Sequence, residues 1–222
     1  MTSLPAEPRL CHTDARSGTG PEGAGALAGQ QAAKAALRRR ILAARRTLSE
    51  QQREAAGRRL RDHILALPQV QMAGTVAAYY SAGTEPPSRG LVYALWKRGT
   101  YVVLPVIRNG VAGSADLDWA SYEGPDSMIP ASHGLLEPAE PGGKAITSAD
   151  VVIVPALAVD RNGNRLGRGG GFYDRALAQV GPLIPVIALL YDDELLDTVP
   201  AGPLDRAVRM VARPNAGVTT VS

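Results

Sequence analysis

Two runs in this chain, Val151–Val154 and Val186–Leu190, are apolar at every position rather than at every second one. A strand with one face in water alternates, whereas a strand without any polar side must be covered on both faces; a parallel sheet between helical layers provides that cover. The segments around these runs fit the arrangement. "TVAAYY" and "YVVLPV" read as strands joined by a helix that runs to about Arg98 and stops at Gly99. "DLDWASY" is a further strand, "IPASHGLLEPAEPGG" an extended loop, "DVVIVPALAV" one buried strand, Phe172 to Val180 a helix, "PVIALLY" a buried strand and "RAVRMVA" the last one. The sequence predicts an α/β fold of three layers, α/β/α, around a mainly parallel, mixed central sheet.

Upstream, "KAALRRRILAARRTL" places Leu37, Ile41, Ala44 and Leu48 on one helical face, with arginines around the rest. Ser49 followed by Gln52 has the spacing of a capping box, Ala56, Leu60, Ile64 and Leu67 form the next apolar stripe, and Pro68 stops it. Residues 1–29 contain small residues and turn formers without a hydrophobic period. They bury too little to offset ordering entropy, so a mobile tail is expected there, with residues 30–222 as a single domain.

Hydrophobic residues make up 45% of the 222, enough for one sizeable core. The single cysteine, Cys11, excludes an intrachain disulfide and fits a reducing cytoplasm. No stretch approaches the roughly 18–20 apolar residues that cross a bilayer, and the start lacks an apolar signal core, so a soluble cytoplasmic chain without a membrane partner is expected. The net charge of +3 is uneven: Lys34–Arg61 holds ten basic and two acidic residues, leaving 14 basic against 19 acidic elsewhere. Such a stretch is most often a solvated helix face. A nucleic-acid-binding module is the competing reading, but no RNP, KH or zinc-finger pattern accompanies it, and no nucleic-acid partner is expected.

"DRNGNRLGRGGG" then joins a buried strand to a helix, at the edge of the sheet where open α/β folds keep ligands. Glycines let the backbone approach a ligand, and the following helix offers unpaired N–H groups, which suits phosphate. Arg165 and Arg168 add charged donors, and Asp174 in the first helical turn has the hard oxygen that Mg²⁺ takes together with phosphate. Phe172 stands where a Walker A loop needs lysine and where GxGxxG needs glycine, so neither pattern applies. Glycine density alone is equally compatible with a flexible surface loop whose Asp174 stabilises a helix start.

The wider stretch "GNRLGRGGGFYDR" resembles the signature of the 5-formyltetrahydrofolate cyclo-ligase (methenyltetrahydrofolate synthetase) family, close to G-x-R-L-G-x-G-x-G-[YF]-Y-D. Lys34, Leu37 and Arg38 repeat the family's opening K-x-x-L-R, and the order of elements agrees to about Val211. The resemblance implies a NagB/RpiA/CoA-transferase-like fold and an ATP- and Mg²⁺-dependent conversion of 5-formyltetrahydrofolate to 5,10-methenyltetrahydrofolate. It implies ATP contacts from Lys34, Arg38, Arg165, Leu166, Gly167, Arg168, Gly169, Gly170, Gly171, Phe172 and Tyr173, with Arg168 and Tyr173 at the transferred group. Asp174 and Asp205 are the implied metal ligands, and Tyr80 and Glu85 the folate contacts, Glu85 accepting from the pterin's amino and ring N–H groups. A non-catalytic relative that only binds nucleotide or folate is the alternative within that family. Gly170, Arg209, Ala158 and Val159 depart from the family's lysine, aspartate, glycine and aromatic.

The basic helices are expected to attract a polyglutamylated folate tail, with Arg45 and Arg46 as the residues to test. His12, His63 and His133 stand alone without a second ligand at metal spacing, and read as exposed or structural. Tyr79, Trp96 and Trp119 read as packing residues. No Ser-His-Asp or Cys-His set is found, and no obligate protein partner is evident.

Overall fold

The computed structural model describes residues 21–109, 115–140 and 142–221. Cys11, His12 and most of the segment expected to form a tail lie outside them. Helices α1 (Pro21–Thr47) and α2 (Glu50–Leu65) are followed by a short α3 (Pro68–Gln71), strand β1 (Thr75–Ala77), α4 (Arg89–Lys97), β2 (Tyr101–Asn109) and β3 (Ala115–Ser121). After these come β4 (Met128–Pro130), β5 (Leu136–Pro138), β6 (Val151–Pro155), β7 (Ala158–Asp160) and β8 (Arg165–Leu166). Helix α5 (Phe172–Leu177), β9 (Val186–Leu189), β10 (Leu195–Leu196), β11 (Met210–Arg213) and β12 (Gly217–Thr220) complete the chain.

Seven strands form the central sheet in the order β12-β11-β9-β6-β1-β2-β3. The five inner strands are parallel, and the antiparallel edges β12 and β3 pair with β11 and β2. Alternate residues of each strand enter opposite layers, as the pleat requires. Val76, Val102, Ile153 and Ile187 pack with Leu60 and Ile64 of α2 and Leu91 and Leu95 of α4. Ala77, Val103, Val152, Val154 and Ala188 pack with Ala176 and Leu177 of α5 and with Ile146 and Ala149. Both faces of the sheet are therefore covered, and the unbroken apolar runs are β6 and β9. Truncating Ile153 or Ile187, each with no exposed surface, is expected to cost about 2–5 kcal/mol in a denaturant titration.

Ser49 caps α2 as expected: its hydroxyl accepts from Gln52 N, and the Gln52 side chain accepts from Ser49 N. Tyr79 and Trp119 are core residues, Trp96 packs against that core, and His63 Nε2 lies 3.1 Å from Pro214 O. Among the described residues no helix is long and apolar enough to cross a membrane.

Several expectations are corrected. Helix α1 starts at Pro21, so residues 21–29, expected to lack structure, form its first turns; proline is preset for a first helical position, and alanine and leucine propagate the helix. The apolar run "DVVIVPALAV" divides into β6 and β7, which belong to different sheets, because the chain leaves the central sheet after Pro155. The expected extended loop contains the β4–β5 hairpin, and a polar edge strand, β12, follows the strand taken as last.

The inward face of α1 also differs. Leu37 and Ile41 pack inward as expected, but Ala44 is exposed, and Lys34, Arg38 and Arg45 also turn toward the body. Arg45, assigned to the solvated face, is 2% exposed. It therefore cannot meet a polyglutamate tail; Arg46 remains on the surface.

Candidate active site

The chain runs outward from β1 to β2 on one side of the sheet and from β6 through β9 to β11 on the other. The connections leaving β1 and β6 thus part at their carboxyl ends, the topological switch point where open α/β sheets bind ligands. One connection holds Tyr80 and Glu85. The other forms β7 and β8, which make a small sheet with β10 from beyond β9 in the order β10-β7-β8, and then the glycine-rich loop.

Asp160 shapes the turn before that loop. Its carboxylate is 1% exposed and accepts from Asn162 N, Asn164 N and Asn164 Nδ2, each at 2.9 Å, and from Val199 N at 3.0 Å. An aspartate followed two and four residues later by asparagine is a turn signal that identifies it from sequence. Leu166, paired with Ala158, is buried against Ile41 and Leu157, which anchors α1 beside the loop. Gly169 and Gly171 have φ of 111° and 68°, conformations open to glycine and strained for other residues. With no side chains there, the backbone at the start of α5 is open to close approach by a ligand.

Around this bend, acids and bases are paired. Arg165 Nη2 donates to Asp174 Oδ1 at 2.8 Å and Nη1 to Pro155 O at 3.3 Å, while its buried Nε has no protein partner. Arg206 N also donates to Asp174 Oδ1, at 3.2 Å. Lys34 Nζ, buried with its residue, lies 2.5 Å from Asp205 Oδ2, which accepts from Gly202 N as well. Arg38 Nε donates to Gly167 O at 2.9 Å, fixing that glycine to α1. Arg168 Nε donates to Glu85 Oε1 at 3.1 Å, and Glu85 Oε2 accepts from Ala82 N. The Arg168 side chain is 55% exposed, against 14% for Glu85, so the arginine is the solvent-facing member of the pair.

Tyr173 is half-buried with Arg165 Cζ 5.8 Å from its ring centre. Burial, reinforced by the Glu85 charge, holds its hydroxyl well above the usual pKa, so it stays protonated at neutral pH. Tyr80 lies 6.1 Å from the Tyr122 ring, with the Arg89 guanidinium 4.9 Å from its own. A Cβ at position 170 would lie 2.7 Å from Phe172 Cδ2; a lysine there would require the ring to turn away. Arg209 is exposed, and Ala158 and Val159 are buried in β7.

Burial alone would raise the pKa of Asp205, but the Lys34 hydrogen bond and charge, the Gly202 N–H and the nearby Arg165 together outweigh it and the net shift is downward. A depressed carboxylate adds stability above its unfolded value, about 4, and loses it as pH falls through the lower folded value. Asp205→Asn is accordingly expected to cost about 1 kcal/mol at pH 7 in thermal melts, with the gap to wild type closing in strong acid. A gap of constant size down to pH 2 would contradict this.

The structure thus brings together Lys34, Arg38, the 165–174 segment, Glu85 and Asp205 through direct contacts, with Tyr80 on the same connection as Glu85. Among the described residues no three His, Cys, Asp or Glu side chains are close enough to form a metal cage. A glycine bend, a ring of cations and an opposing carboxylate at a switch point make up an α/β ligand site of the kind that suits a phosphorylated group. Residues 30–214 match the 5-formyltetrahydrofolate cyclo-ligase family, and the chain belongs to that family; it is an enzyme of the ligase class.

A 5-formyltetrahydrofolate cyclo-ligase of Mycolicibacterium smegmatis is 43% identical over 192 residues, covering 85% of this chain and 97% of the relative. The Escherichia coli K12 protein of the same name is 31% identical over 175 residues, covering 77% and 94%. In three dimensions the 5,10-methenyltetrahydrofolate synthetase of Aquifex aeolicus matches with a TM-score of 0.71 at 26% identity, over 84% of this chain and 92% of that one. That of Mycoplasma pneumoniae shares the fold, with a TM-score of 0.62 at 21% identity, over 80% and 96%.

Proposed function

We propose that the enzyme converts 5-formyltetrahydrofolate and ATP to 5,10-methenyltetrahydrofolate, ADP and phosphate. The formyl oxygen bonds to the γ-phosphorus as the bond to ADP breaks, which makes the formyl carbon an electrophile. N10 then bonds to that carbon and loses its proton to water. Phosphate leaves with the former formyl oxygen and the electrons of the broken C–O bond. Such a reaction needs positioning and charge neutralisation more than a nucleophilic side chain.

The observation that carries this reading is the Arg168–Glu85 contact, which joins the phosphate cradle to the carboxylate suited to a pterin edge. In the proposed complex, the amides of residues 167–171 and the cations Lys34, Arg38 and Arg165 hold the triphosphate. Arg165 Nε, buried and without a protein partner, is one donor that an anion would satisfy. Arg168 turns from Glu85 to the γ-phosphate and frees that carboxylate for the pterin's N–H groups. Tyr173 donates to the oxygen being transferred, and Tyr80 packs against the folate.

The residues present also fit magnesium carried on the nucleotide, since that ion commonly takes one or two carboxylates and otherwise phosphate and water. Both protein contacts of Asp174 fall on Oδ1, leaving Oδ2 as its ligand atom, and Asp205 would offer Oδ1. When bound, the ion offsets charge on the β- and γ-phosphates.

The test is the absorbance of the methenyl product. It is expected to appear from 5-formyltetrahydrofolate only when ATP and magnesium are both present. Product formed without ATP, or none in their joint presence, would contradict the assignment.

A further inference from the structure

Arg45 lies about two helical turns beyond Arg38 on the inward face of α1. Its guanidinium makes a forked pair with Glu194, Nε to Oε1 at 2.6 Å and Nη2 to Oε2 at 2.8 Å. The same Nη2 donates to Ala156 O at 2.6 Å. Their side chains are 2% and 7% exposed, so the pair is cut off from solvent. Buried ion pairs are seldom favoured for stability, because desolvation offsets the attraction. The fork does have a geometric effect: it ties α1 to the residues just beyond two adjacent parallel strands, Ala156 after β6 and Glu194 after β9.

Between β9 and Glu194 stands Tyr191. Its backbone N–H donates to Glu194 Oε2 at 2.8 Å, and Arg45 Cζ lies 5.5 Å from its ring centre. The Tyr191 hydroxyl donates to the carbonyl oxygen of Glu85 at 3.4 Å. A connected path therefore runs from Arg45 through Glu194 and Tyr191 to the backbone of the proposed pterin-binding carboxylate. Glu85 is otherwise steadied by Ala82 N and by the exposed Arg168.

We propose that Arg45 and Glu194 are positioning residues: by holding the Tyr191 turn against the loop after β1, they set the place of Glu85 and so the affinity for the folate substrate. This rests on the functional reading above. It gives a role to a charge that stability alone does not explain, and it separates Arg45 from the other arginines of α1.

The experiment uses the full chain with Arg45→Met/Glu194→Met, which removes both charges together and avoids leaving either one buried alone. A second variant, Arg45→Lys, keeps the cation but replaces the fork by a point charge. Thermal midpoint, kcat and both KM values are measured. The double variant is expected to melt within a few degrees of wild type, with KM for 5-formyltetrahydrofolate raised about tenfold and KM for ATP changed less than about twofold. Arg45→Lys is expected to shift the folate KM in the same direction by about threefold, and it decides the matter if the double variant does not fold.

Folded variants with an unchanged ratio of the two KM values would overturn the proposal, because a structural pair moves stability without selecting one substrate. If wild type itself forms no methenyl product, the functional reading falls and this inference with it. If wild type is active and the variants match it, only the inference falls.

Discussion

Asp174→Asn is expected to lower kcat/KM for cyclisation by about 10³-fold while leaving the thermal midpoint within a few degrees of wild type. The reason lies in how the carboxylate is used. Oδ1 accepts from Arg165 Nη2 and from Arg206 N, and an asparagine oxygen can take both bonds. What asparagine cannot supply is the negative charge and the second hard oxygen that a magnesium–triphosphate complex would need. Asp174→Ala makes the contrasting variant. It removes the acceptor as well and leaves the Arg165 guanidinium, 2% exposed, with the Pro155 carbonyl at 3.3 Å, a loss of about 3 kcal/mol in stability. Comparing the two separates the ion's ligand from the arginine's anchor. Steady-state kinetics with a melting curve for each variant make the measurement, and near-normal activity in Asp174→Asn would move the metal elsewhere.

Gly169→Val is expected to raise KM for ATP about 100-fold with a much smaller change for the folate. At φ 111° a β-branched residue is strained, so the bend would have to rearrange. A Cβ there also lies 3.4 Å from Arg38 Cζ, pressing on the guanidinium that holds Gly167 O. Gly171→Val acts from the other side, at φ 68°, with its Cβ 2.8 Å from Arg175 Nη1. Either change covers amides proposed to face the triphosphate. Calorimetric titration with magnesium ATP is the check, and unaltered affinity in both variants would contradict the cradle.

Much of this site was readable because its chemistry is local in sequence. The run 164–174 carries the bend, the cations and a carboxylate within a few residues, and the flanking residues carry the family signature. The unbroken apolar runs likewise reveal doubly covered strands wherever the chain stays in the sheet. Where it leaves the sheet, the same property hides the exit: nothing in "VIVPALAV" except Pro155 marks the passage from β6 to β7. Strand β12 was missed because an edge strand of four residues, none fully buried, has no apolar period to detect.

Arg45 was misplaced for a different reason. Periodicity assigns charges to water by default, and this charge faces inward only because Glu194, 149 positions away, meets it there. A partner so distant leaves no local trace. The pairing of Lys34 with Asp205, 171 positions apart, is equally nonlocal, although motif spacing had already marked the lysine. The ion pairs also show why charge counting misleads in this chain: part of the net positive stretch on α1 is spent inside the protein, on Asp205, Glu194 and Gly167 O. A surface for nucleic acid is correspondingly weakened.

Direct transfer of the nucleotide's terminal phosphoryl group to the formyl oxygen is the central step of the proposed reaction. The most direct test is to supply 5-formyltetrahydrofolate labelled with oxygen-18 in the formyl group, together with ATP and magnesium, and to analyse the released phosphate by mass spectrometry. One labelled oxygen per phosphate, in step with methenyl product, is the predicted result. Phosphate without the label, with product still forming, would contradict it.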